Sequence, residues 1–164
     1  MSTYIVTGAS RGIGLELVRQ LAAKTSETVQ TIFAAARTSG GPLFQELLQQ
    51  HLDRVIFVPL DVTEKESVKN AVTHVATALN GKGLDVLINN AGVMTPGTVE
   101  NMLWLKTDMG SDDADLPVDT GVAAVLDAVL TTGKEKNGRF LNILVPGWEN
   151  NPGMNQYDGK ELPW

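Results

Sequence analysis

The segment TGASRGIG, residues 7–14, carries glycines at positions 8, 12 and 14. It joins a short apolar run, typical of a buried strand, to a helical repeat of apolar residues. Glycines at this spacing allow a tight turn, a close backbone approach to a pyrophosphate and tight helix–strand packing. The free N–H groups at the start of the next helix also favour negative charge. The segment therefore predicts a dinucleotide-binding loop, with contacts from Gly8, Ser10, Arg11, Gly12, Ile13 and Gly14.

The end of the second predicted strand indicates which dinucleotide is favoured. NAD binding commonly uses an acidic residue about 20 residues beyond the glycine loop, which bonds the ribose 2′-hydroxyl. Here the strand ends in Ala35-Ala36-Arg37 without an acid, and Arg11 adds a second guanidinium within the loop. Two guanidinium groups near that ribose favour a 2′-phosphate, so NADP(H) is predicted over NAD. The alternative for either arginine is a solvated loop position.

The elements that must position this loop follow from the apolar periodicity. The predicted strands are 4–7, 28–37, 54–62 and 84–92, and the predicted helices are 13–24, 42–52 and 64–79. Strict alternation of this kind is typical of a parallel sheet with right-handed crossovers. A helix near 120–132 and a strand over 139–145 are expected next, followed by a turn-rich tail. The predicted fold class is therefore α/β, a doubly wound parallel sheet of about five to six strands.

Composition excludes several classes of site. A net charge of −6 disfavours nucleic-acid binding, which needs a basic face. The absence of cysteine excludes disulfides, thiolate metal sites and thiol nucleophiles, and the two histidines lack metal-ligand spacing. No metal site is predicted. The start of the chain does not resemble a signal peptide and no apolar run approaches 18 residues, so we expect a cytoplasmic protein with no membrane partner.

Together these motifs resemble the short-chain dehydrogenase/reductase (SDR) family. TGASRGIG matches the cofactor loop of that family, and Asn89-Asn90-Ala91-Gly92 matches its signature after the fourth strand. WLKTDMG, residues 104–110, resembles the segment after the sixth strand, and the GRFLNI run with its polar tail resembles a fungal-type subgroup. The resemblance implies a Rossmann-like fold and further cofactor contacts from Asp61, Val62, Asn90, Ala91, Gly92 and, at the nicotinamide carboxamide, Thr107.

The middle of the family pattern has no counterpart in this sequence. SDR members place a catalytic Asn, a catalytic Ser and a Tyr-x-x-x-Lys helix after Asn-Asn-Ala-Gly, whereas here the WLKT-like segment follows almost at once. We therefore expect one shortened SDR domain over 1–164, divided into nucleotide-binding βα units (1–97), a seam (98–103), a last βαβ-like unit (104–145) and a tail (146–164). The catalytic residues are unknown, with candidates Lys106, Asp108, Tyr157 and Lys160. The alternative is that these charges are solvated and that the Tyr157 ring packs against the domain.

The missing segment also affects the expected assembly. Without it, only the third helix would cover one face of the sheet, and buried parallel strands need both faces covered. We therefore expect a homo-oligomer, a dimer or larger, with or without exchange of segments. The aromatic tail, with Trp148 and Trp164, is a second candidate for covering that face.

Three functions remain open at this stage. The leading hypothesis is an SDR-derived protein repurposed for non-redox conversion of a small hydrophobic metabolite, such as isomerisation or cyclisation in secondary metabolism. Its cofactor would be NADP(H) or none. The second hypothesis is an NADP(H)-dependent oxidoreductase with a different proton donor. The third is a nucleotide-binding pseudoenzyme or a splice product.

Overall fold

The computed structural model describes residues 1–93, 105–110, 114–136, 138–150 and 156–162. The chain divides into two compact units, Met1–Met94 (unit 1) and Thr95–Trp164 (unit 2). The predicted seam at 98–103, Trp104 and Trp164 lie outside the described residues, and the single domain over 1–164 stays a prediction. Within the described ranges, no helix has the length and apolar character of a membrane span.

Unit 1 contains a four-stranded parallel sheet and three helices. The strand order is β3-β2-β1-β4, so the α/β parallel-sheet class is confirmed. The elements are β1 (Ser2–Thr7), α1 (Gly12–Ala22), β2 (Val29–Ala36), α2 (Pro42–Gln50), β3 (Val55–Pro59), α3 (Lys65–Leu79) and β4 (Val86–Ile88).

Strand β4 is shorter than the predicted 84–92, because the chain leaves the sheet after Ile88. The backbone N–H groups of Asn90 and Ala91 bond to the Thr7 side chain, at 3.0 and 2.9 Å, instead of continuing a ladder. The apolar run predicts the strand, whereas this side-chain acceptor ends it.

The helices bury the sheet from both sides. On one face, Ile5, Phe33 and Val58 pack with an inward stripe of α3, which consists of Ala71, Val75 and Leu79. On the opposite face, the ring of Phe44 from α2 meets Phe57 of β3 edge-on, with centroids 6.0 Å apart. The continuous apolar runs of β1 and β2 are therefore explained by burial on both faces.

Cover on the α3 face is incomplete at β4. Leu87 lies in register with Ile5 of β1 and on the same face, yet it is 55% exposed whereas Ile5 is 8% exposed. The prediction that one sheet face is incompletely covered is confirmed at this strand.

Unit 2 is built around a short two-stranded sheet and one helix. Strand β5 (Leu105–Lys106) runs parallel to β6 (Leu116–Pro117), and α4 (Val118–Thr131) follows directly. Gly121 lies so close to Leu105 that a Cβ would overlap the leucine side chain. The helix predicted near 120–132 is confirmed, with its start two residues earlier.

The strand predicted over 139–145 does not join a parallel sheet. This segment instead pairs antiparallel with the tail through the bridges Leu141–Glu161 and Leu144–Asp158. The Val145 N–H donates to the Tyr157 carbonyl at 2.9 Å as part of the same ribbon. The apolar run indicates extended backbone correctly, but its pairing partner, the tail 12 to 20 residues further along the chain, was not predicted.

Candidate nucleotide-binding site

The predicted nucleotide-binding residues of unit 1 lie at one edge of its sheet. The glycine loop follows β1, Arg37 follows β2, Asp61 and Val62 follow β3, and Asn90, Ala91 and Gly92 follow β4. Because the strands are parallel, all these segments leave from carboxyl ends. Ligands of open α/β sheets bind outside this edge. The fold therefore brings together the sites that the sequence places as much as 84 residues apart.

The glycine loop has a shape that side chains would disrupt. Gly8 has a φ of +70°, and a Cβ there would come within 2.9 Å of the Ala91 Cα. A Cβ on Gly14 would overlap the Gly8 carbonyl oxygen and the side-chain amide nitrogen of Asn90. The first position therefore needs glycine for its conformation, and the second needs it for close packing of α1 against the loop.

Thr7 and Asn90 tie the glycine loop to the end of β4. The Thr7 Oγ1 accepts hydrogen bonds from the backbone N–H groups of Asn90 and Ala91, at 3.0 and 2.9 Å. In return, the Asn90 side-chain amide donates to the carbonyls of Thr7, at 2.9 Å, and Gly8, at 3.4 Å. Sequence reasoning missed Thr7. Its only signal was a hydroxyl residue as the last position of a buried strand, directly before the loop.

The N-terminus of α1 presents backbone donors at the same edge. Arg11 is the N-cap residue, its side chain makes no capping hydrogen bond, and the first turn contains no acidic residue. The first helical bond runs from the Leu15 N–H to the Arg11 carbonyl at 3.3 Å. The N–H groups of Gly12, Ile13 and Gly14 precede it and so lack a partner within the helix. Such a terminus suits an anionic group.

Asp61 is held as a carboxylate beside Arg37. Its Oδ1 accepts from the Thr63 hydroxyl at 2.7 Å and from the Thr63 N–H at 3.0 Å. These bonds lower the pKa of Asp61, and the charge of Arg37 lowers it further. The Asp61 N–H also donates to the Ser67 hydroxyl at 2.8 Å, which orders the turn into α3. A negative carboxylate and a positive guanidinium are therefore neighbours after β2 and β3.

The remaining predicted cofactor residue, Thr107, and all four catalytic candidates belong to unit 2. The Thr107 hydroxyl oxygen accepts from the Gly110 N–H at 3.1 Å, which closes the turn after β5. Lys106 and Asp108 are exposed on either side of it. The nicotinamide contact of Thr107 stays a prediction, as do the roles of the two charged residues.

Tyr157 and Lys160 are each engaged in a specific contact within unit 2. The Tyr157 hydroxyl donates to Asp115 at 3.1 Å, and its ring lies 5.9 Å from that of Trp148. Burial, together with the bond to Asp115, raises the pKa of Tyr157 to about 12. The Lys160 Nζ lies 2.7 Å from the Asp158 carboxylate. A tyrosine that transfers protons near neutral pH needs its pKa lowered instead, so this geometry favours the packing interpretation.

The second tyrosine of the sequence offers no better donor. Tyr4 lies in β1, is 3% exposed, and its pKa is raised by burial. Tyr4 and Tyr157 are the two tyrosines of the chain. Neither therefore combines exposure with the lowered pKa that proton transfer requires.

The sequence profile of the short chain dehydrogenase family matches residues 2–157. The chain belongs to this family. The glycine loop, Thr7 and Asn90 described above therefore lie at the carboxyl edge of the sheet in a member of the SDR family.

Two human dehydrogenases illustrate the relationship. Retinol dehydrogenase 16 is 36% identical over 139 residues, and 17-beta-hydroxysteroid dehydrogenase type 6 is 33% identical over 138 residues. Each alignment covers 84% of this chain but 41% of the relative, so the chain spans less than half the length of either enzyme.

A solved structure supports the fold. The NADPH bound carbonyl reductase from chicken fatty liver aligns with a TM-score of 0.79 at 22% identity, covering 100% of this chain and 99% of the other. At this level of identity the likeness establishes the SDR fold of the chain.

Proposed function

We propose that the chain binds NADP(H) at the carboxyl edge of unit 1 and serves an oxidoreductase function of the SDR type on a small hydrophobic molecule. The observation that carries this proposal is the glycine loop, which is bonded to Asn90 and leads into a helix N-terminus without a side-chain cap. The names of the two human relatives, which specify a retinol and a hydroxysteroid, support a hydrophobic alcohol or carbonyl compound as substrate.

The residues of this edge suit the parts of NADP(H). The N–H groups at the start of α1 would hold the pyrophosphate, since Gly8 and Gly14 leave the backbone free of side chains. Arg37 and Arg11 would pair with the 2′-phosphate, which a guanidinium binds through charge-assisted hydrogen bonds. When bound, NADP(H) supplies or accepts a hydride. We also propose that Asp61 and Val62 contact the adenine, as the family resemblance implies.

A titration of nicotinamide fluorescence tests the binding step. Wild-type protein is expected to bind NADPH at submillimolar concentration and more tightly than NADH. Arg37→Ala should weaken NADPH binding about 10- to 100-fold, because a charge-assisted hydrogen bond contributes about 1.5–3 kcal/mol. The affinity for NADH should change little, since NADH lacks the 2′-phosphate.

Arg19→Ala is the matched control. Arg19 is also an arginine of unit 1, and it pairs on the exposed side of α1 with Glu16. We expect it to leave the affinity for NADPH unchanged. Equal loss in the Arg19 and Arg37 variants, or no binding of NADPH by the wild type, would contradict the proposal.

A non-redox conversion is the second candidate, and the state of the tyrosines favours it. Hydride transfer to a carbonyl needs a proton donor, but Tyr157 is occupied by Asp115 and Tyr4 is buried. The two candidates differ in NADPH consumption when carbonyl compounds of retinoid and steroid type are supplied. Oxidation of NADPH supports the reductase, with solvent or another group as the donor. If the protein binds NADPH tightly and converts a substrate while NADPH is not oxidised, the non-redox function is supported.

A further inference from the structure

Strand β4 is an open edge of the sheet in unit 1. It pairs in parallel with β1, with Val86 opposite Tyr4 and Ile88 opposite Val6, and it ends the strand order. No strand within the described part of the chain lies on its outer side. An open edge presents a row of unpaired backbone N–H and C=O groups, which can pair with another chain.

The open edge also carries apolar side chains. Leu87 is 55% exposed at the centre of β4. An exposed aliphatic residue beside unpaired backbone is a typical interface feature. Among the described residues, the outer edge of β4 and the Leu87 side chain therefore form a surface on which another strand can pair.

We propose that this edge pairs antiparallel with the same edge of a second copy, around a two-fold axis at Leu87. The two four-stranded sheets would then continue into one sheet through an isologous contact. Leu87 would lie beside Leu87 of the second copy, so that both side chains leave water. Val86 would face Ile88 of the second copy on the other side of the sheet, which makes three apolar cross-strand pairs.

The charges around β4 match this arrangement. Between Gly83 and Gly92 the single charged residue is Asp85, and in the proposed register it lies opposite Asn89 of the second copy. Like charges, which destabilise cross-strand pairs, do not meet. Residues 1–93 contain eight lysines and arginines and eight aspartates and glutamates, so the unit that contains β4 carries no net charge at pH 7. The negative charge of the whole chain comes from the residues that follow.

The cysteine-free sequence allows a direct test. Directly opposite residues of an antiparallel pair have Cβ atoms about 4.5–5.5 Å apart, close to the distance that a disulfide spans. Leu87→Cys would place the single thiol of each chain at the two-fold axis. Leu52→Cys is the matched control, because Leu52 is 77% exposed in the same unit but lies just after α2. Under mild oxidation, Leu87→Cys should form covalent dimer at least about ten times faster than Leu52→Cys.

Sedimentation supplies a second and non-covalent measurement. The wild type should sediment as a dimer of twice 17.6 kDa. Leu87→Asp should raise the dissociation constant of this dimer at least about tenfold, because two carboxylates would meet at the axis. Leu52→Asp should leave it unchanged.

Three outcomes would overturn the proposal. The first is a monomeric wild type at about 50 μM, far above typical dissociation constants of stable dimers. The second is equal cross-linking of the two cysteine variants. The third is a monomer in which the Leu87→Cys thiol resists a thiol reagent, since the edge would then be covered by its own chain. All three are measured without NADP(H) and are independent of the nucleotide-binding proposal.

Discussion

Replacing Thr7 by valine tests whether the hydrogen bonds between the end of β1 and the segment after β4 order the glycine loop. Thr7 is 6% exposed, and its hydroxyl oxygen accepts two backbone N–H bonds. Valine has a similar shape but cannot accept either bond. Thr7→Val therefore leaves the N–H groups of Asn90 and Ala91 without their acceptor while the packing of β1 is kept.

The expected cost follows from these two bonds. An unsatisfied buried donor costs about 1–3 kcal/mol. Ala91 is exposed, so water can partly replace its lost bond, whereas Asn90 is half-buried. A total near the lower limit, about 2 kcal/mol of unfolding free energy, is therefore expected. With a urea m-value of about 2 kcal/mol/M, the unfolding midpoint should fall by about 1 M.

Urea denaturation followed by circular dichroism measures this shift, and NADPH titration measures its effect on the loop. Thr31→Val is the control, because Thr31 is also a strand residue of unit 1 and its hydroxyl makes no hydrogen bond to a described residue. The control should shift the midpoint by less than about 0.3 M, which corresponds to an ordinary surface effect of about 0.5 kcal/mol. We further expect Thr7→Val to weaken NADPH binding at least about threefold, since part of the binding energy must then order the loop. Equal midpoints and equal affinities in the two variants would refute the reasoning.

Three further changes probe the glycine loop, a strand contact and the tail. Gly14→Ala should abolish submillimolar NADPH binding in fluorescence titration, because its Cβ overlaps the Gly8 carbonyl oxygen and moves α1 away from the loop. Asp85 accepts from the N–H and the hydroxyl of Thr3, at 2.7 and 2.9 Å, and these bonds lower its pKa below the usual 3.8. The stability that the Asp85 carboxylate contributes is therefore fully present above the usual pKa and is lost as the pH falls through the lowered pKa of the folded protein. Between pH 5 and 3, a range near the usual aspartate pKa, the urea midpoint of Asp85→Asn should therefore depend less on pH than that of the wild type. Tyr157→Phe should change the affinity for NADPH by less than about twofold. Because it removes the hydrogen bond to Asp115, it should alter the fluorescence of Trp148, whose ring contacts Tyr157. A loss of NADPH oxidation without a structural change would instead assign a catalytic role to this tyrosine.

Much of unit 1 follows from local patterns. The apolar strands, the amphipathic helices and the glycine loop all lie within a few residues of their predicted limits, because periodicity and glycine conformation act over short stretches of chain. The parallel sheet follows from the alternation of these elements. The exposure of Leu87 on the α3 face also agrees with the expectation, based on the family resemblance, that this face is incompletely covered.

Pairing over long distances was less predictable. The sequence indicates extended backbone over 139–145, but it does not show that Tyr157 and its neighbours would be the partners. Hydrophobic periodicity defines which face of a segment is buried, whereas the partner depends on where the chain folds back. The bond between Tyr157 and Asp115 likewise joins residues 42 positions apart, and it decides that the hydroxyl is occupied.

The sequence by itself determined the family, the glycine loop and the order of the elements in unit 1. The tertiary structure decided how the loop is held, because Thr7 meets Asn90 only when β1 and β4 become neighbours. It also decided that Leu87 stays exposed while Ile5, in register with it, is buried. Motifs are local and can be read along the chain, whereas hydrogen-bond partners and exposure depend on segments about 80 residues apart being brought together by folding.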